Sequence, residues 1–206
     1  KAIDFDIKSV AGILLTHSHG DHSKGIKDAI SNGMNVYCSL ATSDEIGLKG
    51  NNRIIEIKDQ HLFEIHDYKV YAFEVKHDVK CYGFLINHAE SGTICFITDT
   101  YYVPYKFNSL NHIIIEANYS NEIVDAKLSD KKFLRDRVLQ SHMEIGTTKE
   151  FLKANDLKEV SNIILIHLSD SNSDETKFKK EVEILTQKRV TVANKGLKMS
   201  LNREPF

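Results

Sequence analysis

Three histidines and an aspartate fall within six positions, in His17-Ser18-His19-Gly20-Asp21-His22. Imidazole and carboxylate at this density suit Zn²⁺, Mn²⁺ or Fe²⁺ better than Mg²⁺ or Ca²⁺, which prefer all-oxygen shells. The apolar run Ala11-Gly12-Ile13-Leu14-Leu15 stands directly before the cluster and reads as a buried strand, while Ile26, Ala29 and Ile30 after it have helical spacing. The cluster therefore lies on a strand-to-helix turn, where side chains can converge without a helix or sheet fixing their directions. Gly20 gives that turn a residue tolerant of unusual backbone angles.

One turn cannot complete a metal site, so further donors are expected at the ends of other strands. Residues 68–75 alternate as a strand and lead to His77-Asp78; residues 93–98 form a short apolar strand before Asp99; residues 162–166 form another before His167. A lone His or Asp in such a place is commonly a turn or capping residue. Three of them beside the first cluster favour a shared site.

With its motifs in that order, the chain resembles the metallo-β-lactamase superfamily over nearly its whole length. The resemblance implies an αββα sandwich holding two divalent metal ions, zinc first and manganese as the alternative. It implies that His17, His19 and His77 hold one ion, that Asp21, His22 and His167 hold the second, and that Asp99 bridges them. True β-lactamases usually place a cysteine where Asp99 stands; an aspartate there is similar to the hydrolases of phosphodiesters and thioesters. His142, in Gln140-Ser141-His142-Met143-Glu144, resembles the extra histidine of RNase Z and its relatives, which protonates the leaving oxygen. Leu165-Ile166-His167-Leu168-Ser169 with Asn172, and Lys76-His77-Asp78, are similar to the YycJ (WalJ)-like branch of exonucleases; similar small proteins occur in phage genomes, so a phage-encoded origin is allowed for. The span from Asp99 to His142 leaves no room for the β-CASP insertion of some nucleases.

The implied reaction is hydrolysis of a phosphodiester. Metal coordination lowers the pKa of water from 15.7 toward about 7. Asp21 is expected to orient that water besides ligating, and His142 to donate a proton to the departing oxygen, a step typically worth about 10²–10⁴-fold. The expected partner is a nucleic acid or nucleotide, cleaved as by a DNA exonuclease or a cyclic-nucleotide phosphodiesterase. A glyoxalase II-type thioesterase is the alternative; it shares the ligand series but has no evident need of His142. A non-catalytic relative would be marked by a lost ligand, and none is lost.

The elements that must position these residues can be read in outline. Strands are expected near 10–15, 34–38, 53–57, 68–75, 81–87, 93–98, 112–117, 162–166 and 189–193, in two packed sheets. Helices near 23–32, 130–139, 148–155 and 174–187 are expected to cover the outer faces, the third opened by a capping box at Thr147-Thr148-Lys149-Glu150. Only sixteen residues precede His17 and no initiator Met is present, whereas superfamily members usually carry strands there. A truncated chain and a shorter first sheet both remain open.

Length and composition agree with one cytoplasmic domain over residues 1–206. No apolar stretch approaches the roughly twenty residues that span a bilayer. Cys38, Cys81 and Cys95 are odd in number, which points to reduced thiols; Cys81 lies near His77 and reads as a buried thiol in preference to a ligand. The net charge of −2 argues against a surface coated for nucleic acid, so a local basic patch is required. Lys131, Lys132, Arg135 and Arg137 offer one, with a solvated helix face paired to Asp130 and Asp136 as the equal alternative. Tyr101, Tyr102, Tyr105 and Phe107 could wall a substrate pocket or belong to the core. His61, His66, His88 and His112 read as surface or strand-edge residues, and a homodimer is allowed for.

Overall fold

The computed structural model describes residues 7–203, and shows a three-stranded parallel sheet and a seven-stranded mixed sheet with helices on the outer faces. The smaller sheet runs β1 (Ile13–Leu14), β2 (Val36–Cys38), β3 (Ile54–Glu56). The larger has the order β10 (Arg189–Val192), β9 (Asn162–Ile166), β8 (His112–Glu116), β7 (Gly92–Ile97), β6 (Cys81–His88), β5 (Tyr68–Val75), β4 (His61–Ile65). Strands β4 to β7 are antiparallel neighbours; β7, β8, β9 and β10 run parallel. Parallel neighbours end on the same side, so Asp99, Glu116 and His167 emerge together beyond β7, β8 and β9.

The two sheets face one another through Tyr37, Ile65, Val70, Ala72, Tyr82 and Phe84, with Leu14 and Phe63 packed at the margin. At the paired positions Phe73 and Gly83 the phenyl ring lies over the glycine, where an added Cβ would sit 2.5 Å from a ring carbon. The opposite face of the larger sheet packs Phe73, Ile113, Ile115 and Ile163 against Phe151 and Leu152 of α6 (Ile145–Ala154) and Phe178 and Val182 of α7 (Glu175–Thr186). Under the smaller sheet, Leu15, Val36 and Cys38 meet Ile26 and Ile30 of α2 (Ile26–Ser31). Burying these apolar faces is the dominant favourable contribution to folding. The αββα arrangement follows.

Differences from the sequence reading lie mostly at element ends and in short helices. The helix expected over 23–32 is two, α1 (Gly20–Ser23) and α2, separated at Lys24-Gly25. Helix α3 (Leu40–Glu45), capped by the Ser39 hydroxyl accepting from Thr42 N at 3.0 Å, is additional, as is strand β4. Helix α4 (Asn121–Leu128), opened by Ser120, precedes α5 (Lys132–Ser141) and packs against it through Val124 and Leu128. Helix α6 begins three residues before the expected 148, because Glu144 caps it by accepting from Gly146 N. His112, expected to be a surface or strand-edge residue, is the first residue of β8 and fully buried, and its Nδ1 lies 3.1 Å from Asn162 Nδ2. No helix among the described residues is long and apolar enough to cross a membrane.

Candidate metal centre

Strand β1 is only two residues long, and beyond it the chain turns through Thr16 into His17. His17 is fully buried. Its Nδ1 shares a hydrogen bond with Thr16 Oγ1 at 2.9 Å, while its Nε2 is buried with no hydrogen-bond partner. Burial pushes the pKa of His17 down to about 3, against the opposing pull of the Asp99 carboxylate. The ring is therefore neutral. An orphaned buried polar atom of this kind costs stability unless something occupies it.

Around that nitrogen the structure collects the other donors. His19 Nδ1 lies 3.3 Å from His77 Nε2, and one nitrogen each from His17, His19 and His77 falls within 4.8 Å of the others. Asp21, His22 and His167 form a second group within the same limit. Asp99 lies between them: Oδ2 is 3.2 Å from His22 Nε2 and Oδ1 is 3.5 Å from His167 Nδ1, and it also groups with His17 and His22. His142 stands beside the second group, its ring 5.2 Å from that of His167 and 6.4 Å from that of His77.

The electrostatics suit cation binding. Asp99 is almost fully buried, which disfavours its charge, yet hydrogen bonds from His22 and from Thr98 Oγ1 (2.6 Å), with the neighbouring His167, hold it far below the usual carboxylate range. The Asp99 hydrogen bond raises the pKa of His22, whereas burial lowers that of His77. His167 is pushed up to about 9: burial opposes its charge, but the Glu116 hydrogen bond and the Asp99 carboxylate outweigh it. His167 (φ 57°), directly after β9, and Asp99 (φ 49°), two residues beyond β7, both have left-handed backbone, an unusual conformation for residues other than glycine.

Two carboxylates emerge that the sequence reading did not assign. Glu116, the last residue of β8, is fully buried; its Oε1 accepts from Nδ1 of both His142 (2.9 Å) and His167 (2.8 Å), and its Oε2 accepts from Thr100 N (3.0 Å). Its placement after Ile113-Ile114-Ile115 is the same strand-end signal that marked Asp99 and His167. Asp78 Oδ1 lies 3.0 Å from His77 Nε2 and 3.5 Å from His19 Nε2. Backbone also takes part: His77 Nδ1 donates to the carbonyl of Ser141, which ties the His77 loop to the residue before His142.

Cys81 is buried, with Sγ 3.8 Å from His17 Nδ1 and 3.9 Å from the Thr98 carbonyl, and burial raises its pKa well above the usual thiol value. It is a thiol packed behind the site. Phe107 joins the core against Phe73 and Phe151, and Tyr105 packs on the same cluster. Tyr101 and Tyr102 are exposed. Tyr102 pairs with Lys76, which puts the two on one face and His77 on the other. A cavity of about 230 Å³ is lined by Tyr102, Tyr105, Met143 and Phe151.

The family model described as "Beta-lactamase superfamily domain" matches residues 3–168. The chain is similar to a protein of Bacillus anthracis named Exodeoxyribonuclease YycJ, 28% identical over 203 residues, covering 91% of this chain and 75% of that one. It is 29% identical over 114 residues to a Ribonuclease Z of Agathobacter rectalis, covering 45% of this chain and 36% of the relative. Among solved structures, the metallo-beta-lactamase fold protein YhfI from Bacillus subtilis superposes with a TM-score of 0.71 at 17% identity, over 94% of this chain and 79% of that one.

Proposed function

This chain belongs to the beta-lactamase superfamily domain family, and we propose that within it the protein is a metal-dependent hydrolase of phosphodiester bonds, a nuclease of the exodeoxyribonuclease type. The observation that carries this reading is the pairing of His142 with a buried carboxylate next to the metal donors. Glu116 accepts from Nδ1 of His142, so Nε2 is the nitrogen left to face a substrate. A histidine so fixed can deliver a proton to a poor leaving group such as a nucleoside alkoxide. A thiolate, the leaving group of a thioester, leaves without one.

The donor set fits the ions. His17 offers a buried neutral nitrogen without a partner, and six further His and Asp side chains surround it with the imidazole-rich chemistry that favours zinc. His17, His19 and His77 would hold one ion, Asp21, His22 and His167 the other, and Asp99 both. When bound, the ions supply Lewis acidity that activates water and offsets phosphoryl charge. Asp21 would orient an entering water; its side chain, 67% exposed, is the most accessible of the acidic donors. Glu116 fixes the rings of both His142 and His167 through their Nδ1 atoms, a carboxylate–histidine arrangement that sets tautomer and direction. Three buried free thiols fit a cytoplasmic setting.

The test is a substrate panel with Zn²⁺ and Mn²⁺: bis(p-nitrophenyl) phosphate, labelled single- and double-stranded DNA, RNA, cyclic nucleotides and S-lactoylglutathione. Cleavage of DNA with release of mononucleotides is expected. Hydrolysis of S-lactoylglutathione without any cleavage of phosphodiesters would replace this reading with the thioesterase.

A further inference from the structure

We propose that the exposed face of α5 is a track for a single-stranded polynucleotide leading to His142, a reading that rests on the phosphodiesterase function above. Helix α5 is held from behind. Arg135 Nε and Nη2 bond Asp125 Oδ1 of α4 at 3.0 and 2.7 Å, and Val138 and Leu139 pack against the cluster of Tyr119, Val124 and Leu128. What faces outward is unusual in composition. Phe133 is 84% exposed, the most exposed large apolar side chain among the described residues, and Leu134 beside it is 47% exposed.

Phe133, Arg137 and Gln140 follow the i, i+4, i+7 spacing of one helical face, and all three are exposed. Lys131 and Lys132 precede Phe133 at the start of the helix, and among the described residues neither they nor Arg137 forms an ion pair. Residues 130–141 carry four cations against the carboxylates of Asp130 and Asp136, a local excess of positive charge on a chain whose net charge is −2. Arg135 is engaged with Asp125, and three cations remain free to meet phosphates.

An exposed ring among unpaired cations matches the two parts of single-strand binding, stacking of a base and neutralisation of the backbone. Duplex DNA offers no free base face at such a place, and a cyclic mononucleotide is too short to reach it from the metal centre. The helix ends in His142 as its C-cap, with the His142 N–H bonded to the Val138 carbonyl at 3.1 Å. At about 1.5 Å per residue, Phe133 lies about 14 Å from His142 along the axis, roughly four nucleotides at the ~3.4 Å spacing of a stacked strand. The track therefore grips the strand a few nucleotides from the bond being cut.

The experiment compares wild-type metal-loaded enzyme with Phe133→Ala and with the triple variant Lys131→Gln/Lys132→Gln/Arg137→Gln. Binding of a labelled 12-nucleotide phosphorothioate oligothymidylate, which resists cleavage, is followed by anisotropy across a salt series. Phe133→Ala is expected to weaken binding roughly tenfold. The triple variant should flatten the slope of log K against log salt by about 2, near 0.7 for each lost phosphate contact. Turnover of bis(p-nitrophenyl) phosphate, which cannot span the distance to α5, serves as the control for folding and for the metal centre. Wild-type affinity and salt slope in both variants, with control turnover intact, would overturn the proposal while leaving the phosphodiesterase reading in place. Wild-type enzyme that cleaves neither the control ester nor unmodified DNA would instead remove that reading. Light scattering in which Phe133→Ala converts a dimer into a monomer, with DNA affinity unchanged, would assign the face to a second copy and also overturn the track.

Discussion

Glu116→Gln tests whether the buried carboxylate joins the metal centre to the proton donor. Glutamine keeps the volume and removes the charge. In the native site Oε1 receives two N–H groups, from His142 and His167, and Oε2 receives the Thr100 N–H. Whichever way the amide is turned, its NH₂ meets a donor: Thr100 N in one orientation, the two histidines in the other. The residue is fully buried, so no water relieves the conflict. A buried donor left without an acceptor costs about 1–3 kcal/mol, and exchanging charge-assisted hydrogen bonds for neutral ones costs about 1 kcal/mol more for each histidine. The sum, about 3–5 kcal/mol, matches what breaking buried ionic pairs generally costs. For a chain of this size that is a fall in Tm of roughly 6–20 °C. Loss of the brace on His167 is expected to weaken metal binding by about 10–100-fold, read by competition with a chromophoric chelator. At saturating metal, loss of the brace on His142 should lower kcat on a dinucleotide by about 10²-fold while bis(p-nitrophenyl) phosphate, whose leaving group needs no proton, loses much less. A variant with wild-type chelator competition and the same leaving-group dependence as the parent would refute the joint role of Glu116.

Three further outcomes are expected. His142→Ala should retain full metal content and lower kcat on unactivated phosphodiesters by roughly 10²–10⁴-fold; wild-type rates on DNA would shift the assignment toward thioesters. His17→Ala and Asp99→Ala should lose bound metal together with activity, as measured by metal analysis after gel filtration, whereas metal retained at wild-type stoichiometry in either would contradict the ligand assignment. Burial raises the pKa of Cys38 to about 11 and raises those of Cys81 and Cys95 well above the usual thiol value. Above pH 9 the unfolded chain loses these protons and the folded chain keeps them, so their contribution is complete below pH 9 and is lost as pH rises toward 11. Each thiol removes about 1.4 kcal/mol per pH unit in that window, and urea midpoints under reductant should fall steeply between pH 9 and 10.5 but less so in Cys95→Ala.

The convergence of the candidate donors was legible because strand-end positions after apolar runs carry them, and parallel strands place their ends side by side. Helix α7 was legible for a similar reason: Asp174 caps it by accepting from Lys177 N, and Phe178 and Val182 mark its inner face. The rest was obscured by particular residues. Strand β4 is an edge with Leu62 61% exposed, so its pattern His-Leu-Phe-Glu-Ile does not separate an inner from an outer face. Helix α4 has two buried residues in eight and leans on α5, so no periodic stripe announced it. At α6, Thr148 resembled part of a capping box but sits inside the helix, its hydroxyl donating to the carbonyl of Glu116 at 2.8 Å. Glu116 itself was passed over because a glutamate closing a strand is usually solvated. Here two imidazoles and a backbone amide enclose it.

The same enclosure explains how an α/β sheet can tolerate so much polarity at one edge. Asp99 and Glu116 are buried carboxylates at the ends of adjacent strands, and each would be costly alone. Asp99 receives Thr98 and His22, Glu116 receives Thr100, His142 and His167, and His167 links them by lying within 3.5 Å of Asp99. The left-handed turns at Asp99 and His167 cost about 1–2 kcal/mol each. A conformation that is unfavourable locally persists because these hydrogen bonds fix it, and His17 Nε2 stays unpaired because no protein group reaches it. Protein partners satisfy the carboxylates, whereas Nε2 of His17, in the midst of the candidate donors, has no protein partner. That division of labour separates the part of the site built by folding from the part a metal ion would complete.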